Sequence, residues 1–128
     1  MQLHVPVSVG EVLDKITILQ IKLAHISDAN KRVNIQNELD ALLPLVAGDG
    51  FSTDEMQGLM AELKSVNEAL WNIEDDIRKK EAAKIFDAEF IKLARAVYVT
   101  NDKRAEIKKQ INLATGSALI EEKSYESY

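Results

Sequence analysis

The sequence predicts an all-α protein: an antiparallel helical bundle of about four main helices, with an extended N-terminal arm and a short C-terminal tail. Three observations predict it. Apolar residues recur at spacings of three and four along most of the chain, the period of an amphipathic helix. Two helix-start signals, Ser8-Val9-Gly10-Glu11 and Ser52-Thr53-Asp54-Glu55, stand directly before such runs. The segments between runs are short, which makes successive helices antiparallel neighbours.

Length and composition set the frame. The 128 residues read as a single helical domain over 1–128, with the arm at 1–7 and the tail at 117–128. A chain of this size buries roughly two-thirds of its unfolded surface without disulfides or metals. The apolar share of 46% and charged share of 29% are ordinary for a globular protein. With no cysteine, disulfide scaffolds, thiolate zinc sites and cysteine nucleophiles are excluded. The net charge of -5 argues against electrostatic attraction to nucleic acid or an anionic membrane. The first residues lack a basic region and a signal-length apolar run, and no stretch approaches the roughly 20 apolar residues of a membrane span. The expected location is cytoplasmic.

Residues 2 to 7 alternate, with Leu3, Val5 and Val7 on one side, and Pro6 confines such a strand to an edge or an extended arm. With no second strand in the chain, it packs as an arm or pairs with a second copy. Helix 1 starts at Ser8, and Val9, Val12, Leu13, Ile16, Leu19, Leu23 and Ile26 form its core stripe. Asp14, Ile18, Ile21 and His25 lie on roughly the opposite side. A helix apolar on two faces is central to the bundle or shared with a partner. Ser27-Asp28-Ala29-Asn30 is a turn with several possible N-caps. Helix 2 follows, with Ile35, Leu39, Leu42, Leu43 and Val46 on one face, and Pro44 ends or kinks it. Gly48-Asp49-Gly50 is a loop.

Helix 3 runs from the second start signal to about Lys80 or Ala83, with Leu59, Leu63, Val66, Leu70, Ile73 and Ile77 as its core stripe. Lys79 and Lys80 near its end suit the helix dipole. Asp87 caps helix 4, whose stripe of Phe90, Leu93, Ala94, Val97, Ile107 and Ile111 continues to about Ala114. Val97 to Asp102 are poor helix formers, so the helix kinks there or restarts on Asn101. Gly116 is a C-terminal stop, and the tail beyond it holds one apolar anchor, Leu119-Ile120.

The residue types that carry chemistry fall into two groups. On helix 3, Asn67, Trp71, Glu74, Asp75 and Arg78 cluster within about 80° of one another, centred about 120° from the core stripe. One reading is a pocket wall, with Trp71 as apolar floor and the charges as polar contacts. The other is a second packing face on which Glu74 pairs with Arg78 at i,i+4. A magnesium site at Glu74 and Asp75 needs a second acidic helix pair, the pattern of all-helical nucleotide pyrophosphohydrolases. Asp102 and Glu106 have the spacing, but Lys103, Lys108 and Lys109 crowd them. The expectation is therefore no metal and no cofactor, with magnesium at Glu74 and Asp75 as the alternative. Helix 4 carries Arg95, Tyr98, Asn101, Asp102, Arg104, Lys108 and Asn112, and, where the helix is continuous, Tyr98, Asn101, Lys108 and Asn112 run along one side as a donor-rich stripe suited to an anion. Alternatively, Arg95, Arg104 and Lys108 pair with the acids of helix 3. His25 reads as a satisfied core or interface residue, and with His4 the only other histidine, a histidine metal site is not expected. No nucleophile turn and no glycine-rich phosphate loop is present, so no catalytic residue is assigned.

Four blocks carry a resemblance: Ser8-Val9-Gly10-Glu11-Val12-Leu13-Asp14-Lys15-Ile16-Thr17-Ile18-Leu19, Trp71-x-Ile73-Glu74-Asp75-Asp76-Ile77-Arg78, Tyr98-x-Thr100-Asn101-Asp102-x-Arg104-Ala105 and Glu121-Glu122-Lys123-Ser124-Tyr125. Together they resemble an uncharacterised family of small all-helical proteins from bacteria and phages, a domain of unknown function, over nearly the whole chain. The resemblance implies an all-helical fold and no established activity. It also implies an association with glycosyltransferase-like or helical-repeat partners in cell-surface polysaccharide pathways. Leu13-Asp14-Lys15-Ile16 is more distantly similar to the opening of helical chorismate mutases, which clamp a dicarboxylate with arginines and lysines from several helices. Here arginine is confined to Arg32, Arg78, Arg95 and Arg104, and Lys15 stands where those enzymes carry an early arginine.

Two functions follow from these readings. The first is a helical interaction or regulatory module that self-associates as a homodimer and has a possible protein partner, with no nucleic acid and no membrane. Its spare apolar surface is Ile18, Ile21, Met56, Met60 or Trp71, unless these pack within one chain. The alternative is a small-anion or nucleotide-binding enzyme with a polar site between helices 3 and 4. Its candidate ligand-binding residues are Trp71, Glu74, Asp75, Arg78, Arg95, Tyr98, Asn101, Arg104 and Lys108.

Overall fold

Four side chains start the four helices. Ser8, Asp28, Thr53 and Asp87 each accept the backbone N–H three residues further on, satisfying one of the donors that a helix start leaves free. The computed structural model describes residues 1–128: α1 spans Val9–His25, α2 Ala29–Leu42, α3 Asp54–Ala82 and α4 Ala88–Thr115, with no strand. Pro44 stops α2, and the chain passes through two short 3₁₀ turns, Leu43–Val46 and Asp49–Phe51, before α3. Gly116 closes α4 in the left-handed region at φ 64°, where glycine sits without strain. No helix is long and apolar enough to cross a membrane.

Three local expectations change. The cap of α3 is Thr53 and not Ser52, whose hydroxyl bonds back to Asp49 O at 2.9 Å. Ser8 caps α1 as expected, but Glu11 turns its carboxylate away to Lys108, 2.7 Å distant. And α4 runs unbroken through Val97 to Asp102. Poor helix formers there each cost a few tenths of a kcal/mol, at most about 0.7, which packing along α3 outweighs. Residues 1–7 form no helix or strand and are exposed, and their backbone makes no hydrogen bond within the chain.

The core joins all four helices: Leu13, Ile16 and Leu19 of α1, Ile35 and Leu39 of α2, Met56, Leu59 and Leu63 of α3, and Ile107 and Ile111 of α4. Helix α1 is central and packs on the other three. It runs antiparallel to α4, since Gly10 meets Asn112 while Asp14 meets Arg104. Ile21 of α1 and Met56 of α3 are both buried, while Ile18, on the second face of α1, stays half-buried.

Length governs what α1 can cover. It has 17 residues, against 29 in α3 and 28 in α4. At about 1.5 Å per residue, the α3–α4 hairpin outruns it. Cover ends where His25 meets Trp71. Beyond that point Ile73, Ile77, Leu93 and Val97 are only half-buried, and Ile85, Phe86 and Ile91 are exposed.

Candidate functional site

Asp14 sits on α1 between Leu13 and Ile16, so packing that helix into the bundle carries a carboxylate inside, where it is 1% exposed. An isolated buried charge would be prohibitive. Here Arg104 meets it as a fork: Nε donates to Oδ1 at 2.8 Å and Nη2 donates to Oδ2. Asn67 of α3 donates from Nδ2 to Asp14 Oδ1 at 2.9 Å and to Thr17 Oγ1 at 2.8 Å. Lys108 Nζ lies 3.7 Å from Asp14, 2.7 Å from Glu11 and 3.5 Å from Glu121 of the tail. Burial pushes the Asp14 carboxyl up. The hydrogen bonds of Arg104 and Asn67 and the charges of Arg104 and Lys108 outweigh it and hold the group below the ordinary aspartate value. The same bond to Asp14 raises Arg104 further.

One glycine admits this closeness. Gly10 N–H donates to Asn112 Oδ1 at 2.6 Å, and a Cβ at Gly10 would fall 2.6 Å from the Lys108 carbonyl oxygen. Helices α1 and α4 therefore touch backbone to backbone. No fully buried side-chain polar atom lacks a partner. The cluster also corrects one of the expected pairings: Arg104 and Lys108 bind acids of α1 and the tail, not those of α3. The cause is that α1 lies along the C-terminal half of α4 and sets Glu11 and Asp14 opposite them.

Above this cluster the second face of α3 opens into a cleft of about 390 Å³. Ile18 and Ile21 of α1, with Leu70 and Trp71 of α3, make it apolar, while Asn67, Glu74, Asp75, Arg78 and Arg104 supply its polar groups. Trp71 stacks on His25 with ring centroids 4.8 Å apart and planes 19° from parallel, and His25 Nε2 lies 2.8 Å from Glu68. Glu74 pairs with Arg78 at 3.3 Å and Asp75 with Lys79 at 3.1 Å, each one turn along the helix. Such exposed pairs hold their charges in place loosely, at about 0.3–0.5 kcal/mol.

The nine candidate residues therefore divide. Trp71, Glu74, Asp75, Arg78 and Arg104 share the cleft. Lys108 is buried behind it. Tyr98 and Asn101 border a different hollow, of about 570 Å³, between α4 and the tail residues Tyr125 and Tyr128. There the Tyr98 and Tyr128 rings meet edge to face at 5.3 Å, and the Tyr128 hydroxyl donates to Asp102. Arg95 is exposed and lines neither. Glu74 and Asp75 are the acids considered for magnesium. No group of three or more His, Asp or Glu side chains is gathered closely enough to hold a metal ion. The residues that sequence reasoning did not place in a site are Asp14, Thr17, Ile18 and Ile21. Their one signal was an acid on an apolar helix face.

Comparison with curated proteins and with solved structures finds no match. A family model does match, over residues 3–128; its description is Family of unknown function (DUF6165).

Proposed function

The chain belongs to this family of unknown function, and we propose that it is a helical interaction module that works by binding, with the cleft between α1, α3 and α4 as its recognition site. One observation carries the reading. Trp71, Glu74, Asp75 and Arg78 of α3 and Arg104 of α4 converge on one open, apolar-walled cleft. Its volume is within the range of ligand sites, roughly 300–1,000 Å³. Binding is favoured over catalysis because the one deeply buried carboxylate, Asp14, is consumed by Arg104, Asn67 and Lys108. A carboxylate held ionised by such partners is a poor proton acceptor.

Thermal shift against a panel of metabolites and peptides, with and without magnesium, tests this. A bound compound raises the melting temperature as its concentration exceeds its Kd. The shift should vanish in Trp71→Ala and Ile18→Arg and persist in the α2 surface variant Lys31→Ala. A shift that survives both cleft substitutions sinks the reading.

Self-association is a second reading, favoured by the half of the hairpin that α1 leaves uncovered. A second copy laid on Ile85, Phe86 and Ile91 would bury three large exposed apolar side chains. Sedimentation equilibrium should then give a dimer that Ile91→Glu returns to monomer. A monomeric wild-type chain at high concentration rules the dimer out.

A further inference from the structure

One side chain at the floor of the cleft has a polar atom left over. Asn67 is 5% exposed, and its nitrogen is committed to Asp14 and Thr17. Turning the amide over would set its oxygen against the Asp14 carboxylate, so Nδ2 faces the acid and Oδ1 faces away. That oxygen accepts no hydrogen bond from the protein. Since no fully buried side-chain polar atom goes without a partner, Oδ1 is reachable from the open volume that Asn67 lines.

Arg104 stands beside it. Its Nε and the Asn67 nitrogen donate to the same Asp14 oxygen, at 2.8 and 2.9 Å. Nη2 holds the other Asp14 oxygen, and Nη1 reaches Asn101 at 3.4 Å. Each of those two nitrogens carries a pair of N–H groups, so both have one left. The floor thus sets a free acceptor next to a free donor. The walls are Ile18, Ile21, Leu70 and the indole of Trp71, which His25 backs in a parallel stack.

We infer that the cleft takes a flat heterocycle of the nucleobase type, one whose edge carries an N–H beside a ring nitrogen or a carbonyl oxygen. The inference rests on the cleft being the recognition site. The ligand N–H donates to Asn67 Oδ1, its neighbouring acceptor receives an N–H from Arg104, and the ring lies against Trp71. A volume of about 390 Å³ holds a base with its sugar, and Glu74 and Asp75 at the rim accept from sugar hydroxyls. Those two carboxylates and the net charge of -5 disfavour a polynucleotide, so the ligand is a free nucleoside or a compound built on one.

Trp71 is the chain's one tryptophan, so its emission reports on the cleft. Adenosine, guanosine, uridine and cytidine are titrated into the intact protein, each beside a counterpart methylated on its base-pairing edge. Trp71 emission, excited at the red edge of its absorption, and melting temperature are followed together. At least one nucleoside should change both saturably, and its edge-methylated counterpart should bind at least about tenfold more weakly, because the methyl group removes the bond to Asn67 or to Arg104 and holds the edge off the other. Equal binding of the methylated compound overturns the inference, as does the absence of any response to all four. If nucleosides fail while another compound's shift is lost in Trp71→Ala, the ligand class is wrong and the cleft remains the recognition site. If no compound's binding depends on cleft residues, the recognition reading falls as well.

Discussion

Asp14 is buried to 1% exposure, and removing its charge while leaving its partners in place shows what it does. Asp14→Asn keeps the shape but strands Arg104 and Lys108 with one acid fewer between them. Breaking a buried pair in this way costs about 3–5 kcal/mol, to be read as a lower urea midpoint. The pH dependence follows from the same pairing. The folded-state value of Asp14 lies below its unfolded value, so its contribution is whole above the ordinary aspartate range near pH 4. It is lost as pH falls through the depressed folded value. Stability against urea should fall on the acid side of pH 4, and less steeply in Asp14→Asn; equal slopes would mean that Asp14 is not the titrating group. Gly10→Ala is the steric counterpart. Its methyl group would meet the Lys108 carbonyl at 2.6 Å, and overpacking of this kind costs about 1–3 kcal/mol. The sequence places Asp14 on the face of Ile18 and Ile21. Its partner was not legible there, because Arg104 lies 90 positions away and no local period connects them.

At the scale of elements, the helices were legible because their caps, stripes and stops agree. Asp87 and Gly116 bracket α4 as their chemistry requires. What local chemistry left open was a choice between adjacent oxygens: Ser52 and Thr53 can both cap, and the backbone picks Thr53. Thr53→Ala should cost about 1 kcal/mol in equilibrium unfolding, while Ser52→Ala should be nearly silent. The reverse result would return the cap to Ser52. The poor helix formers from Val97 to Asp102 misled for a related reason, since the contact with α3 that overrides them is tertiary. The cleft was half legible for the same cause. The α3 face was visible as a face, but Ile18 and Ile21, which close it, depend on where α1 crosses.

Across the whole molecule the bundle is unequal from end to end. Around Leu13, Leu63 and Ile111 four helices share one core, while past His25 only two remain. Amide hydrogen exchange should reflect this: backbone amides of residues 74–80 and 90–97 should exchange faster than those of 59–67 and 104–112. Uniform protection along the hairpin would show that something covers its far half, and a second copy is the candidate. No pattern in the sequence announced this inequality, because Ile73 and Ile77 sit in the same stripe as Leu59 and Leu63. The stripe records which side faces inward; the length of α1 decides how deep that side lies.

The closure of Asp14 by Arg104 has a consequence for how the chain is made. A ribosome releases α1 long before α4, and until Arg104 emerges the Asp14 carboxylate has no cation able to take it out of water. Settling α1 into its final contacts before then would strand that charge, since its partner lies 90 positions later. A fragment that stops before residue 104 should therefore be cut by protease faster than the full chain; equal rates would show that the early helices settle without Arg104.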